Sequence, residues 1–130
     1  MSRTNVLLVD DEAPFVAALA KRLTKRGLHV TTASSGDEAL DFLEQIDADV
    51  IVLDIRMPGL DGLETLAEVK RRLPAVEVIM LTGHGGSDDV VEGMSLGAFD
   101  FLVKPCDVEL LRQLVEEAAA KKRASIGARG

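Results

Sequence analysis

Val50-Ile51-Val52-Leu53-Asp54-Ile55-Arg56-Met57-Pro58-Gly59-Leu60-Asp61-Gly62 is the stretch that decides the fold. It opens on four aliphatic residues in a row, with none of the polar alternation of a strand that turns one face to water. A short unbroken apolar run reads as a strand covered on both faces, and that is the habit of parallel sheets flanked by helices. The run stops at one carboxylate, Asp54. A turn segment rich in Pro and Gly follows, and then Asp61 and Glu64 form the aspartate version of a capping box. The helix this starts carries Leu63, Leu66, Ala67 and Leu73 on one face.

Outward from this core the pattern repeats. Apolar runs recur at Val6–Val9, Val30–Ala33, Val76–Leu81 and Phe99–Val103. Between them lie stretches of helical period: Phe15, Leu19 and Leu23; Ala39, Leu40 and Leu43; Val90, Val91 and Met94; Leu110, Leu114 and Ala118. Ser35 with Glu38 fits a capping box, Asp107 can cap the last helix, and Pro14 suits a first helical turn. Gly27 and Gly97 suit left-handed caps. The order βαβαβαβαβα predicts an α/β fold, a doubly wound parallel sheet with helices on both faces. No repeat or linker interrupts it. The domain is expected over 1–123, with 124–130 as a short flexible tail. Lys121-Lys122-Arg123 reads as a basic helix end that complements the helix dipole.

Composition excludes several functions. The 130 residues suffice for one domain with its own core. One cysteine, Cys106, permits no internal disulfide and argues against a thiolate metal cage; it reads as a small buried hydrophobe. Fifteen Lys and Arg against 22 Asp and Glu give a net charge of −7, so direct nucleic-acid binding is not expected. There is no Trp or Tyr and only four Phe, too few for an aromatic stacking platform. No apolar run approaches the roughly 18 residues of a membrane span, and Met1-Ser2-Arg3-Thr4-Asn5 runs into a strand-like segment without the apolar stretch of a signal peptide. A cytoplasmic protein without membrane contact is expected.

In an open parallel sheet ligands bind beyond the carboxyl ends of the strands. Strand 1 runs into Asp10-Asp11-Glu12 and strand 3 into Asp54. Strand 4 delivers Thr82 and then Gly83-His84-Gly85-Gly86, and strand 5 delivers Lys104-Pro105. One aspartate at a strand end is ordinarily a turn residue. Four strands delivering polar groups to one edge are a site. Two carboxylates about 4 Å apart repel by roughly 4 kcal/mol at an effective dielectric of 20. Asp10, Asp11 and Asp54 with Lys104 leave two uncompensated negative charges, which a divalent ion would cancel. An all-oxygen ligand set selects Mg²⁺, or Mn²⁺ in its place, over zinc. His29, before strand 2, reads as a solvated turn residue and makes no metal pair with His84.

These motifs resemble two-component response-regulator receiver domains of the chemotaxis type. The resemblance rests on Val9-Asp10-Asp11-Glu12, the Leu53–Gly62 segment, Leu81-Thr82-Gly83 and Gly97-Ala98-Phe99-Asp100-Phe101-Leu102-Val103-Lys104-Pro105, in order along nearly the whole chain. It implies a flavodoxin-like fold with a five-stranded sheet in the order 2-1-3-4-5. It implies that Asp54 accepts a phosphoryl group from a histidine kinase or phosphotransfer protein. Asp11 and Asp54 would ligate Mg²⁺ directly, with the Arg56 backbone carbonyl as third protein ligand and Asp10 acting through water. Lys104 would neutralise phosphoryl oxygens, placed by a cis peptide bond to Pro105, and Thr82 would bond the phosphoryl group after transfer. Phe101 matches the family's switch aromatic, although core packing explains it as readily. Movement of Thr82 and Phe101 would then reshape the surface of the fourth helix, fifth strand and fifth helix. That surface would control a downstream protein or output domain, or a homodimer formed on phosphorylation. Arg56 and His84 face the phosphoryl group's open side in this family, where they would tune its hydrolysis; exposed loop polarity explains them equally well.

Such a protein is a signalling phosphoacceptor with self-catalysed transfer and autodephosphorylation rather than a conventional enzyme. The alternative is a Mg²⁺-dependent aspartyl-phosphate phosphatase on a similar fold. Those enzymes resemble Asp-x-Asp, and Asp54-Ile55-Arg56 puts a cation where the second carboxylate belongs.

Overall fold

A computed structural model describes residues 3–56, 61–83 and 88–129. The elements alternate: β1 (Asn5–Val9), α1 (Ala13–Lys25), β2 (His29–Ala33), α2 (Gly36–Leu43), β3 (Val50–Asp54), α3 (Gly62–Arg72), β4 (Glu77–Thr82), α4 (Asp88–Ser95), β5 (Asp100–Val103) and α5 (Val108–Arg129). All strand pairs are parallel, in the order β2-β1-β3-β4-β5. This is the doubly wound sheet that the sequence pattern predicts.

The unbroken apolar runs have a direct structural cause. Successive side chains leave a strand on opposite faces. Leu7, Val9, Ile51, Leu53, Val78 and Met80 join one core with Ala39, Leu66 and Val69 from α2 and α3. Val6, Leu8, Val50, Val52, Ile79 and Leu81 join the other, with Val16, Leu19 and Leu23 of α1 and Leu111, Val115 and Ala118 of α5. Every residue of β3 and β4 is buried. The edge strands are more polar: β2 is partly exposed, and none of β5 is fully buried.

Caps hold the helices where the sequence places them. Ser35 Oγ accepts from the Glu38 N–H at 3.1 Å, while Glu38 Oε1 accepts from the Ser34 N–H at 2.9 Å. Asp61 Oδ1 accepts from the Glu64 N–H, and Asp107 Oδ1 from those of Glu109 and Leu110. Gly27 and Gly97 sit at φ +91° and +107°, where a side chain would be strained. A Cβ on Gly62 would overlap the Ile55 backbone, so glycine lets α3 begin directly against the end of β3.

Three readings need correction. The buried stripe of α5 runs through Leu111, Val115, Ala118 and Ala119, and Leu110 is exposed; both sets satisfy helical spacing, and packing on β4 selects one. On α3 and α4, Ala67, Val91 and Met94 likewise turn outward, leaving Leu66, Val69 and Val90 buried. Finally, α5 does not end near Arg123 but continues to Arg129. No proline interrupts it, and its basic run is tied sideways rather than to a helix end. Lys122 Nζ meets Asp49 Oδ1 at 3.0 Å, Lys121 Nζ meets Glu77 Oε2 at 3.4 Å, and Arg123 donates to Thr4 Oγ1 at 3.0 Å. Asp49 immediately precedes β3 and Glu77 begins β4, so these bonds clamp α5 to the amino end of the sheet.

Candidate functional site

The carboxyl ends of the strands gather the polar residues. β1 and β3 are neighbours, so the residues that follow or end them, Asp10 and Asp54, arrive side by side. The Asp10 N–H bonds the Ala33 carbonyl at 3.1 Å, and the Ile55 N–H bonds the Leu81 carbonyl at 3.2 Å, carrying the sheet's hydrogen bonding one residue beyond the strands. Each aspartate then turns the chain. Asp10 Oδ1 accepts from the Glu12 N–H at 2.9 Å, and Asp54 Oδ1 accepts from the Arg56 N–H at 3.0 Å. These local bonds orient both carboxylates with one oxygen left for other partners.

Lys104 takes those oxygens. It follows β5, where its N–H bonds the Thr82 carbonyl at 2.7 Å, and its peptide bond to Pro105 is cis. Its Nζ stands 2.7 Å from Asp10 Oδ2, 3.2 Å from Glu12 Oε1 and 3.5 Å from Asp54 Oδ2. Asp10, Asp54 and Thr82 are 1%, 6% and 2% exposed, so the centre is dry on the protein side. Burial pushes the Asp54 carboxyl above its ordinary range, and the Asp10 charge adds to this; the Arg56 N–H and Lys104 oppose it without cancelling it. Burial pulls the Lys104 ammonium down, but its bonds to Asp10 and its other carboxylate neighbours outweigh that and leave it raised.

Asp10, Glu12 and Asp54 each offer an oxygen within 4.8 Å of the others. Three negative charges against the one of Lys104 leave −2. The donor set is all oxygen. It therefore fits a hard divalent cation such as Mg²⁺, which takes carboxylate oxygens and keeps waters.

The structure does not bring every residue of interest to this point. Asp11 is exposed and lines a neighbouring cavity of about 240 Å³ with Thr32, Ser34 and Glu38. Glu12, quoted in the sequence motif but given no role, reaches back to the cluster. Adjacent side chains in an extended turn diverge, so the residue two after Asp10 returns to its side; that Asp-x-Glu spacing was the available signal. Arg56 turns its guanidinium away, 3.1 Å from Asp89 Oδ2 on α4. Phe101 is half-buried and packed on the core shared with α2 and α3. Burial pushes the Cys106 thiol up, away from a reactive thiolate. His84 and the segment 57–60 lie outside the described residues.

Comparison with known proteins gives concordant results. The family model for the response regulator receiver domain matches residues 6–116. The chain is 42% identical over 118 residues to the DNA-binding transcriptional regulator NtrC of Klebsiella pneumoniae, covering 91% of this chain and 25% of that protein. It is 40% identical over 114 residues to the transcriptional regulatory protein GlrR of Escherichia coli, covering 88% and 26%. The chain thus spans about a quarter of the length of these curated relatives. Among solved structures, a response regulator receiver domain protein from Clostridium thermocellum superposes with a TM-score of 0.88 at 36% identity, covering 93% of this chain and 98% of that one. NtrX from Brucella abortus superposes at 0.89 and 31% identity, covering 98% and 29%. Among the described residues no helix is long and apolar enough to cross a membrane.

Proposed function

The chain belongs to the response regulator receiver domains of two-component systems, and from that premise we propose that Asp54 is its phosphoacceptor. One observation carries the assignment. Asp54 is a buried carboxylate at the end of a central strand, with a second carboxylate and an ammonium turned toward it and too little positive charge to balance them. Such a cluster draws a divalent cation, and that cation together with Lys104 would supply the positive charge that an incoming phosphoryl group needs.

In the proposed reaction an Asp54 carboxylate oxygen attacks the phosphorus of a phosphohistidine on a cognate histidine kinase or phosphotransfer protein. The P–N bond breaks as the P–O bond forms, and the departing imidazole takes a proton from solvent. Lys104 already stands within reach of Asp54 and offers its ammonium to the phosphoryl oxygens. Thr82 bonds one of those oxygens once transfer is complete. Mg²⁺, or Mn²⁺, would be held as in the family by Asp11 and Asp54, by the Arg56 carbonyl and by Asp10 through water, with Glu12 beside it, and would supply positive charge to the phosphoryl group. The residues act by position and charge rather than by turnover, as phosphoryl transfer generally permits.

Output follows from the same site. Thr82 and Phe101 switch together and alter α4, β5 and α5. Val91, Met94, Val103 and Leu110 on these elements are exposed large apolar residues, which suits a surface that docks a downstream protein, an output domain or a second copy. The receiver acts in the cytoplasm, touching neither membrane nor nucleic acid itself, and 1–123 suffices for phosphoacceptance. Arg56 and His84 tune the phosphoryl lifetime. Dephosphorylation rates of Arg56→Ala and His84→Ala then differ from the wild type, and equal rates contradict that role. Family membership and Arg56, standing where a hydrolase needs a carboxylate, disfavour the phosphatase alternative.

The assignment is tested with acetyl phosphate and Mg²⁺. The wild type gains one acid-stable, base-labile phosphoryl group per chain, and Asp54→Ala gains none. Full labelling of Asp54→Ala overturns the assignment.

A further inference from the structure

Phe15 lies in the first turn of α1, where helical spacing alone explains it as the start of the stripe continued by Leu19 and Leu23. Its ring does more than fill that stripe. The Lys104 Nζ lies 4.5 Å from the ring centroid, inside the range of about 6 Å over which a ring face attracts a cation. The same nitrogen serves Asp10, Glu12 and Asp54, and the lysine side chain is only 17% exposed, so the attraction operates largely out of water. The ring in turn is half-buried and packed against the core between the sheet, α1 and α5.

We propose that Phe15 is a positioning residue for Lys104, a π-face seat that keeps the ammonium at the carboxylate cluster while its N–H donors are free to change partners. The three carboxylates draw the ammonium toward their own oxygens, whereas a phosphoryl group on Asp54 asks it to turn toward others. A ring face attracts the cation without prescribing where its N–H bonds point. The donors therefore pass from carboxylate to phosphoryl oxygens without the ammonium leaving its place. An aliphatic residue at position 15 would cover the same core and leave the ammonium held by the carboxylates alone. This inference rests on the reading of Asp54 as phosphoacceptor for its consequence, though not for the contact itself.

Two readouts on the full chain separate the contact from its consequence. Phe15→Leu and Phe15→Met keep apolar bulk without a π face; Phe15→Tyr keeps the face. In proton NMR the ε-methylene signals of Lys104 are shifted upfield by the ring in the wild type and in Phe15→Tyr, and return to ordinary lysine positions in the aliphatic variants. With acetyl phosphate and Mg²⁺, Asp54 is phosphorylated about 3- to 10-fold more slowly in the aliphatic variants, and within twofold of the wild-type rate (about the lower limit of such a contact) in Phe15→Tyr. Comparison is made between variants with equal unfolding midpoints. Equal rates in wild type and aliphatic variants overturn the proposal, as does equal slowing by leucine and tyrosine, because bulk would then be what matters. Lys104 methylene signals unmoved by loss of the ring overturn the contact itself. A wild type that takes no phosphoryl group overturns the Asp54 assignment and the rate consequence together, while the methylene signals still judge the contact.

Discussion

At Asp54 the fold carries a buried carboxylate at a cost in stability. Burial and the neighbouring Asp10 raise its carboxyl, so the ionised form is disfavoured in the folded protein relative to the unfolded chain. The sign follows directly. Below the ordinary carboxylate range both states hold the proton and there is no penalty. As pH rises, the unfolded chain ionises first, and the penalty grows until the folded carboxyl has ionised too. In divalent-free buffer at pH 7, Asp54→Asn should therefore stabilise the fold and raise its Tm. The gain should shrink toward about pH 4 and narrow when Mg²⁺ is added. Thermal unfolding across pH with chelator checks this; equal midpoints at pH 7 would contradict it. Much of this centre was legible in the sequence, because a strand end fixes where Asp10, Asp54 and Lys104 must go. Side-chain direction in the turn after β1 was not. It depends on which of Asp11 and Glu12 folds back, and that is set by the Asp10–Glu12 hydrogen bond. The Phe15–Lys104 contact was hidden for a different reason, since helical period assigns an aromatic to a core and does not say what lies over its ring.

Among the elements, α5 departs furthest from its sequence reading. Two overlapping stripes at helical spacing were available, and only the sheet it packs on distinguishes them. Its basic run also looked like a helix terminus because the partners that hold it, Asp49 and Glu77, lie far away in sequence. Lys122 is 7% exposed, and its closest carboxylate is Asp49 at 3.0 Å; exposed Asp47 stands at 3.6 Å. Removing Asp49 would leave the buried ammonium to its longer contact with exposed Asp47. Asp49→Ala should cost about 3 kcal/mol, near the lower end for breaking a buried pair. Lys122→Met, which removes the charge and keeps the apolar stem, should cost less. Urea unfolding of both checks the order, and an Asp49→Ala protein as stable as wild type would show that the clamp contributes nothing. The clamp fixes α5 from the amino end of the sheet, while the proposed output surface uses its other end, near Leu110.

Across the whole molecule, the arrangement that the apolar runs dictated is the one that makes the site. Strands buried on both faces require a parallel sheet, a parallel sheet sends its carboxyl ends to one edge, and the carboxylates and the ammonium meet there. Asp10, Glu12 and Asp54 against Lys104 account for two of the seven surplus negative charges of the chain, so part of its acidity is gathered at that edge rather than spread over a solvated surface. The fold was readable because a continuous apolar run admits few explanations. The edge strands were less so, as β2 mixes threonine with valine and β5 is half-buried at Asp100, Phe101 and Leu102 and exposed at Val103. The central claim is that this edge exists to phosphorylate one residue. Borohydride reduction of the protein after treatment with acetyl phosphate and Mg²⁺ tests it most directly, because an aspartyl phosphate is reduced to homoserine while an unmodified aspartate is not. Peptide mass spectrometry should find homoserine at position 54 and aspartate retained at positions 10 and 11. Homoserine at either of those positions instead, or none at 54, would contradict the account.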